Sequence, residues 1–137
     1  MNTTVPQELN WVEKRLACNV AAVFNQLCDG ILADVEAFNL APYFGEFDKF
    51  QAVMHSTGKT IIIGQPLKVP RDRVHVGIVN EGIEVVQEWD RVTWRTTIGL
   101  NDEGRCMLRL EDGHEIEQWQ FRKRALENLF WPSRERQ

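Results

Sequence analysis

A chain of 137 residues that is 43% hydrophobic has enough apolar material for one globular domain with its own core. Its formal net charge of −4 argues against a nucleic-acid-binding protein with a dominant basic face. No apolar run approaches the ~18–20 residues of a membrane span, and the first ten residues lack the charged and apolar regions of a secretory signal. We therefore expect a single domain over residues 1–137, with neither a membrane nor a nucleic acid as partner.

The first predicted element is a long helix over residues 6–38. Its apolar residues recur in steps of three and four, the period of an α-helix: Leu9, Val12, Leu16, Val20, Val23, Leu27, Ile31, Val35 and Phe38. A second apolar row, Phe24, Cys28 and Leu32, gives the breadth of a helix buried along one side. Gly30 costs about 1 kcal/mol relative to alanine and could divide the helix in two. Because the apolar residues keep the same helical phase beyond it, we favour one helix with a weak point or a bend at Gly30.

Between residues 49 and 120 the apolar period changes from 3.6 to 2, which predicts β-strands. The clearest alternation runs from Val92 to Leu100, and the last strand is predicted over residues 114–120. Four turn signals separate the strands: Thr57-Gly58, Asn80–Gly82, Asn101–Gly104 and Asp112-Gly113. Strands joined by such short turns must be antiparallel neighbours. The region is therefore predicted to be an antiparallel meander of six or seven strands.

A short C-terminal helix is predicted over residues 121–131, and the tail 132–137 is expected to be flexible. Apolar residues recur with helical spacing from Ala125 to Phe130, and Pro132 ends the pattern. Helices at the two ends of a meander predict an α+β fold with the helices on one face of a curled sheet. This architecture resembles those of cystatin-like, NTF2-like and helix-grip proteins. The likeness is an analogy of architecture, from which no function follows.

The cysteines predict the cellular compartment. Cys18 and Cys28 lie ten residues apart on the predicted helix, about 15 Å along its axis, which is too far for a disulfide. Cys106 has no evident partner. Because three free cysteines are typical of a reducing environment, we expect a cytoplasmic protein.

The sequence contains no recognised motif for catalysis or cofactor binding. His55, His75 and His114 lack the spacing of a zinc site, and the patterns GxSxG and CxxC and a glycine-rich phosphate loop do not occur. The acidic residues are better explained as the solvated side of amphipathic strands than as a catalytic pair. We therefore predict no catalytic residue, no metal and no cofactor. Whether the chain has any enzymatic activity stays open, with none favoured.

Two of the five tryptophans indicate a surface that contacts another molecule. Trp119 falls on the polar face of the last predicted strand and Trp131 at the end of the C-terminal helix. Large aromatic side chains outside the core often mark interfaces. A terminal helix that simply covers the outer face of the sheet would explain both residues equally well.

Three consecutive cations, Arg122, Lys123 and Arg124, open the predicted C-terminal helix. The helix dipole favours negative charge at this end, so the cluster needs an explanation. Either Glu115 and Glu117 neutralise it, or it contacts an anionic ligand or a protein surface.

Two functional hypotheses follow. The first is a non-catalytic binding or interaction protein that acts as a homodimer or on a protein partner through Trp119, Trp131 and the three cations. The second is a small-molecule-binding protein or minor enzyme with an apolar pocket between the long helix and the sheet. Four residues are the candidate lining of that pocket: Asn19, Trp94, Thr96 and Gln118.

Overall fold

The computed structural model describes residues 8–68 and 72–132. The predicted flexible tail lies outside these residues from position 133 onwards. The helices of the described chain are α1 (Trp11–Ala17), α2 (Val20–Asn39), a short 3-10 helix (Glu46–Asp48) and α3 (Gln118–Phe130). The strands are β1 (Gln51–Met54), β2 (Thr60–Gly64), β3 (Arg73–Val79), β4 (Gly82–Gln87), β5 (Val92–Leu100), β6 (Cys106–Leu110) and β7 (Glu115–Ile116).

The strands form one antiparallel sheet in which the strand order equals the chain order. The sheet is open, with β1 and β7 as its edges. Glycines with positive φ occupy three of the predicted turns, Gly58 (72°), Gly104 (77°) and Gly113 (94°), a backbone conformation that glycine adopts without steric cost. The predicted α+β class and the seven-stranded meander are confirmed.

The core lies between one face of this sheet and helices α2 and α3. Neighbouring strands align Ile61, Val76, Val85 and Trp94 in one row, and the first three of these are buried. Leu27 and Ile31 of α2 and Phe121 of α3 are fully buried against this face. We call it the inner face and the opposite one the outer face.

The continuous helix predicted over residues 6–38 is wrong, because α1 and α2 meet at a 61° bend. The break is at Asn19, whose side-chain oxygen accepts from the N–H of Ala22 at 2.9 Å. Its amide also donates to the carbonyl of Leu16 at 3.1 Å. Asn19 thereby caps the start of α2, a position that asparagine favours. The helix passes through Gly30 without interruption.

The apolar stripe is buried only along α2. Leu9, which precedes α1, is 47% exposed. Val12 and Leu16 of α1 are 49% and 74% exposed, and no residue of this helix is buried. The bend at Asn19 takes α1 out of line with α2, so the apolar side chains of α1 lie outside the core. Leu32 is also half exposed.

No single helix of the described residues is long and apolar enough to cross a membrane. The bent pair α1–α2 reaches the necessary length and hydrophobicity only when its two helices are taken together.

The expectation of three free cysteines is wrong. A disulfide joins Cys18 to Cys106, with their Cα atoms 5.4 Å apart, and Cys28 is buried and free. Helical spacing excludes a bond between Cys18 and Cys28 only, whereas the fold brings the end of α1 to the start of β6. The basis for a cytoplasmic assignment is therefore lost.

The end of the sheet also differs from the prediction. Strand β7 has two residues, and α3 begins at Gln118 rather than at residue 121. The side-chain oxygen of Gln120 accepts from the backbone N–H of Glu117 at 2.8 Å, which satisfies a donor at the start of the helix. Trp119 therefore lies on a helix instead of a strand.

Candidate functional site

An apolar groove of about 460 Å³ lies between the C-terminal half of α2 and α3. We call it the α2–α3 groove. Its apolar lining is Ala37, Phe38, Ala41, Phe44, Leu126 and Phe130, and Trp119 and Trp131 flank it. These two tryptophans are 54% and 62% exposed. A concavity of this size with an apolar lining is typical of binding sites.

The groove exists because α2 and α3 run side by side in the same direction. Gln118 donates to Gln26 at 2.6 Å, and the Nε atom of Arg122 donates to the Asp34 carboxylate at 2.8 Å. A Cβ atom at Gly30 would overlap the guanidinium of Arg122. Gly30 is thus the position where α2 makes room for a side chain of α3.

An aromatic cluster closes the far end of the groove. Phe38 of α2 stacks on Phe44 with ring centroids 4.3 Å apart. It also contacts Phe130 at 4.8 Å and Trp131 at 5.7 Å. The ring of Phe50, at the start of the sheet, lies 5.0 Å from Phe38. Because these rings are packed on each other, this end of the groove is preformed.

The three cations predicted to open the C-terminal helix lie in its second turn, and each has a local partner. Arg122 pairs with Asp34, and Lys123 lies 3.2 Å from the Glu127 carboxylate. Arg124 lies over the ring of Trp94, 5.1 Å from its centroid. The charges that line the groove are therefore balanced within the chain.

Neutralisation by Glu115 and Glu117 was the wrong pairing, because both glutamates contact other cations. Glu115 lies 3.6 Å from Arg109, and Glu117 lies 3.7 Å from Arg105. Glu117 also accepts from the indole N–H of Trp119 at 2.8 Å.

The structure does not gather the four predicted pocket residues into one cavity. Thr96 is buried on the inner face, where its hydroxyl donates to the carbonyl of Ile83 at 3.3 Å. Trp94 packs against Phe121 with centroids 5.0 Å apart. Asn19 is an exposed helix cap rather than a residue within a helix, and Gln118 lies at the start of α3 rather than on a strand. Both differences follow from the misplaced helix boundaries.

The histidines lie apart from one another. His55 contacts Thr57 in the β1–β2 turn and His114 contacts Asp112 in the β6–β7 turn. Over residues 8–68 and 72–132 no group of three or more His, Cys, Asp or Glu side chains could hold a metal ion.

His75 belongs to an ionic cluster on the outer face of the sheet. Its Nε2 atom lies 2.8 Å from the Glu88 carboxylate, which also accepts two hydrogen bonds from Arg73 at 2.8 and 3.1 Å. The hydrogen bonds from Arg73, with a smaller contribution from His75, hold the pKa of Glu88 below its usual range. This pairing links β3 to the residue that follows β4.

The Glu88 cluster predicts a pH-dependent contribution to stability. A carboxyl whose pKa is lowered by folding stabilises the protein above its unfolded pKa, and that contribution is lost as the pH falls through the folded pKa. We expect Glu88→Gln to unfold at lower urea than the wild type at pH 7. The difference should shrink steadily below about pH 4.5. Urea titrations at several pH values would contradict this if the difference were constant with pH.

The groove is the feature that sequence reasoning missed. Both flanking tryptophans were identified from the sequence, but the α2–α3 groove depends on how two helices that are distant in the sequence pack together, which no local sequence pattern reports.

No family model, curated protein or solved structure matches this chain.

Proposed function

We propose that this chain is a non-catalytic binding protein that holds an apolar helical segment of a protein partner in the α2–α3 groove. The observation that carries the proposal is an apolar groove between two helices with an exposed tryptophan at each end. An amphipathic helix that lays its apolar face into such a groove is a recurring mode of peptide recognition. Exposed tryptophans are also the side chains most enriched among residues that dominate binding energy.

The length of the groove favours an elongated occupant. Trp119 and Trp131 are twelve residues apart, which corresponds to about 18 Å along a helix. A helical segment of about twelve residues spans the same distance. A compact small molecule would contact one tryptophan only.

The charge balance of the groove favours a neutral contact face. Asp34, Arg122, Lys123 and Glu127 all line the groove, and they form two ion pairs with each other. A charged group buried there would have to break one of these pairs or stay unpaired, which is costly. The occupant should therefore present apolar side chains inward and its charges to solvent.

For the cellular location we propose an oxidising compartment. Disulfides persist in oxidising environments and are rare where glutathione keeps thiols reduced. The Cys18–Cys106 bridge supports this over the reducing cytoplasm that three free cysteines would have indicated.

The proposal is tested with a displayed library of ~16-residue peptides patterned as amphipathic helices. We expect the wild-type protein to select binders with apolar residues at helical spacing. We expect Trp119→Ala and Trp131→Ala each to weaken those binders by at least about tenfold, which is about 1.4 kcal/mol.

Trp11→Ala is the matched control, because Trp11 is 65% exposed on α1 and does not line the groove. Its affinity for the selected peptides should equal that of the wild type. A library that yields no binder, or peptides that lose as much affinity with Trp11→Ala as with Trp119→Ala, would overturn the proposal.

A small apolar ligand in the same groove is the second candidate. The volume of about 460 Å³ would accommodate a drug-sized molecule. Native mass spectrometry of the purified untagged protein separates the two, because a retained small ligand would appear as extra mass. A bare protein that binds helical peptides would favour the first candidate.

A further inference from the structure

Strand β1 is a sheet edge whose own residues offer none of the usual protection against pairing. From Phe50 to Thr57 the chain has no lysine, arginine, aspartate, glutamate or proline, the residues with which proteins block such edges. The opposite edge is protected, because β7 has only two residues, Glu115 faces Arg109, and α3 follows at once. Another strand could therefore pair more easily with β1 than with β7.

The alternation of hydrogen-bonded and non-bonded pairs between β1 and β2 identifies which backbone groups of β1 point away from the sheet. The N–H of His55 donates to the carbonyl of Thr60 at 2.7 Å. Hydrogen-bonded pairs alternate along an antiparallel ladder. In the β1–β2 register, Val53 opposite Ile62 is therefore a bonded pair. The backbone N–H and C=O groups of Ala52 and Met54 accordingly point away from β2, beyond the edge of the sheet.

Exposed apolar side chains lie on both faces of this edge. Val53 is 49% exposed on the outer face, and Met54 is 42% exposed on the face that bears the helices. The side chain of Asn39 bonds the backbone N–H and C=O of Phe50, each at 2.8 Å, which holds α2 beside β1. Leu32, two helical turns before Asn39 on the same side of α2, is 48% exposed. Exposed apolar side chains therefore lie beside the outward-pointing backbone groups of β1.

We propose that two copies of this chain pair through β1 in antiparallel orientation, about a two-fold axis at Val53. This register places Ala52 of each copy opposite Met54 of the other, so that the outward backbone groups of both residues are satisfied. Val53 then lies opposite itself in a non-bonded pair, where Cα atoms are about 4.5 Å apart. The product is one continuous sheet made of both seven-stranded halves.

The neutrality of the edge is the argument for a second copy as the occupant. A two-fold axis at Val53 places Val53 opposite its own copy and brings the residues on either side close to their own copies, so a charge in this short segment would lie near a like charge. The segment Phe50–Thr57 avoids that repulsion throughout. The interface is short, which places it among the weak association classes with small buried area. It also does not involve the α2–α3 groove, so it stands independently of the proposed function.

Sedimentation equilibrium of the full-length oxidised protein, from about 1 to about 500 µM, tests the proposal. We expect the wild type to dimerise reversibly over this range. Val53→Lys should weaken the dimer at least about tenfold, because it sets two ammonium groups opposite each other. Val53→Glu should do the same. An equimolar mixture of the two variants should recover the dimer, because the opposed charges then have opposite sign.

Thr93→Lys is the matched control. Thr93 lies in the same outer-face row as Val53, through Ile62, His75 and Val86, but on the internal strand β5. It should dimerise like the wild type. Far-UV circular dichroism and peptide binding in the groove should be unchanged in all three variants, which separates a failed interface from a failed fold or a failed groove.

Three results would overturn the proposal. The wild type could stay monomeric to the highest concentration, or Thr93→Lys could lose the dimer as fully as Val53→Lys does. The mixture of the lysine and glutamate variants could also fail to dimerise, which would show that the two β1 strands do not meet at Val53.

Discussion

Loss of the Cys18–Cys106 disulfide is expected to lower the free energy of unfolding by about 4–5 kcal/mol. The bridge joins residues 88 apart in the sequence, so it encloses α2 and most of the sheet. A cross-link over so long a loop restricts the unfolded chain strongly, which raises its free energy relative to the folded state. Urea unfolding of oxidised and reduced wild-type protein measures the difference.

The variant Cys18→Ala/Cys106→Ala is the control for this experiment. It should unfold like the reduced wild type, and adding reductant should leave its midpoint unchanged. A loss below about 1 kcal/mol on reduction would contradict the prediction, since it would mean that the bridge hardly constrains the unfolded chain.

Cys28 provides an independent check on the oxidation state. Burial, followed by the nearby Asp29 charge, raises the pKa of its thiol to about 11, so the reactive thiolate is scarce at neutral pH. A thiol reagent should therefore detect no cysteine in the folded oxidised protein and one after unfolding.

Phe121→Ala is expected to cost about 3–5 kcal/mol of stability. Phe121 is fully buried on the first turns of α3 and packs against Trp94. Its removal leaves a cavity where α3 meets the sheet and also forfeits an aromatic pair. The free energy from urea or thermal unfolding measures the loss.

Trp119→Ala is the matched comparison, because it removes a larger aromatic ring from the same helix at a position that is 54% exposed. It should change stability by no more than about 0.5–1 kcal/mol. If the two variants were equally destabilised, α3 would not be anchored through the buried side as the structure indicates.

The meander was predictable because its signals are local. Alternation through Val92 to Leu100 and the turn residues around Gly58 and Gly113 act within a few positions of each other, and adjacent pairing follows from short turns. The buried side of α2 was predictable for the same reason, since helical phase alone selects Leu27 and Ile31.

The remainder depended on side-chain hydrogen bonds that hydrophobic periodicity does not report and on contacts between distant residues. The helical spacing of the apolar residues continues through Asn19 unchanged. However, the hydrogen bond from Ala22 to the Asn19 side chain and the Cys18–Cys106 bridge accompany a bend between α1 and α2. The alternation at residues 114–120 fits a strand as well as the start of a helix, and the bond between Glu117 and Gln120 favours the helix. The α2–α3 groove required the position of α3 across α2, for which the sequence offered only a glycine at position 30 and an arginine at position 122.

The adjacency of consecutive strands also affects how the chain assembles during its synthesis. Each strand pairs with the one made just before it, so the sheet can grow as the polypeptide leaves the ribosome, with low contact order. Helix α3 is made after all seven strands, however, and until it arrives part of the apolar face under Phe121 and Leu126 lacks its cover. A nascent chain halted before Gln118 would therefore expose part of the core and be prone to aggregation or chaperone capture. The packing of α3 onto the sheet is therefore expected to complete the core last.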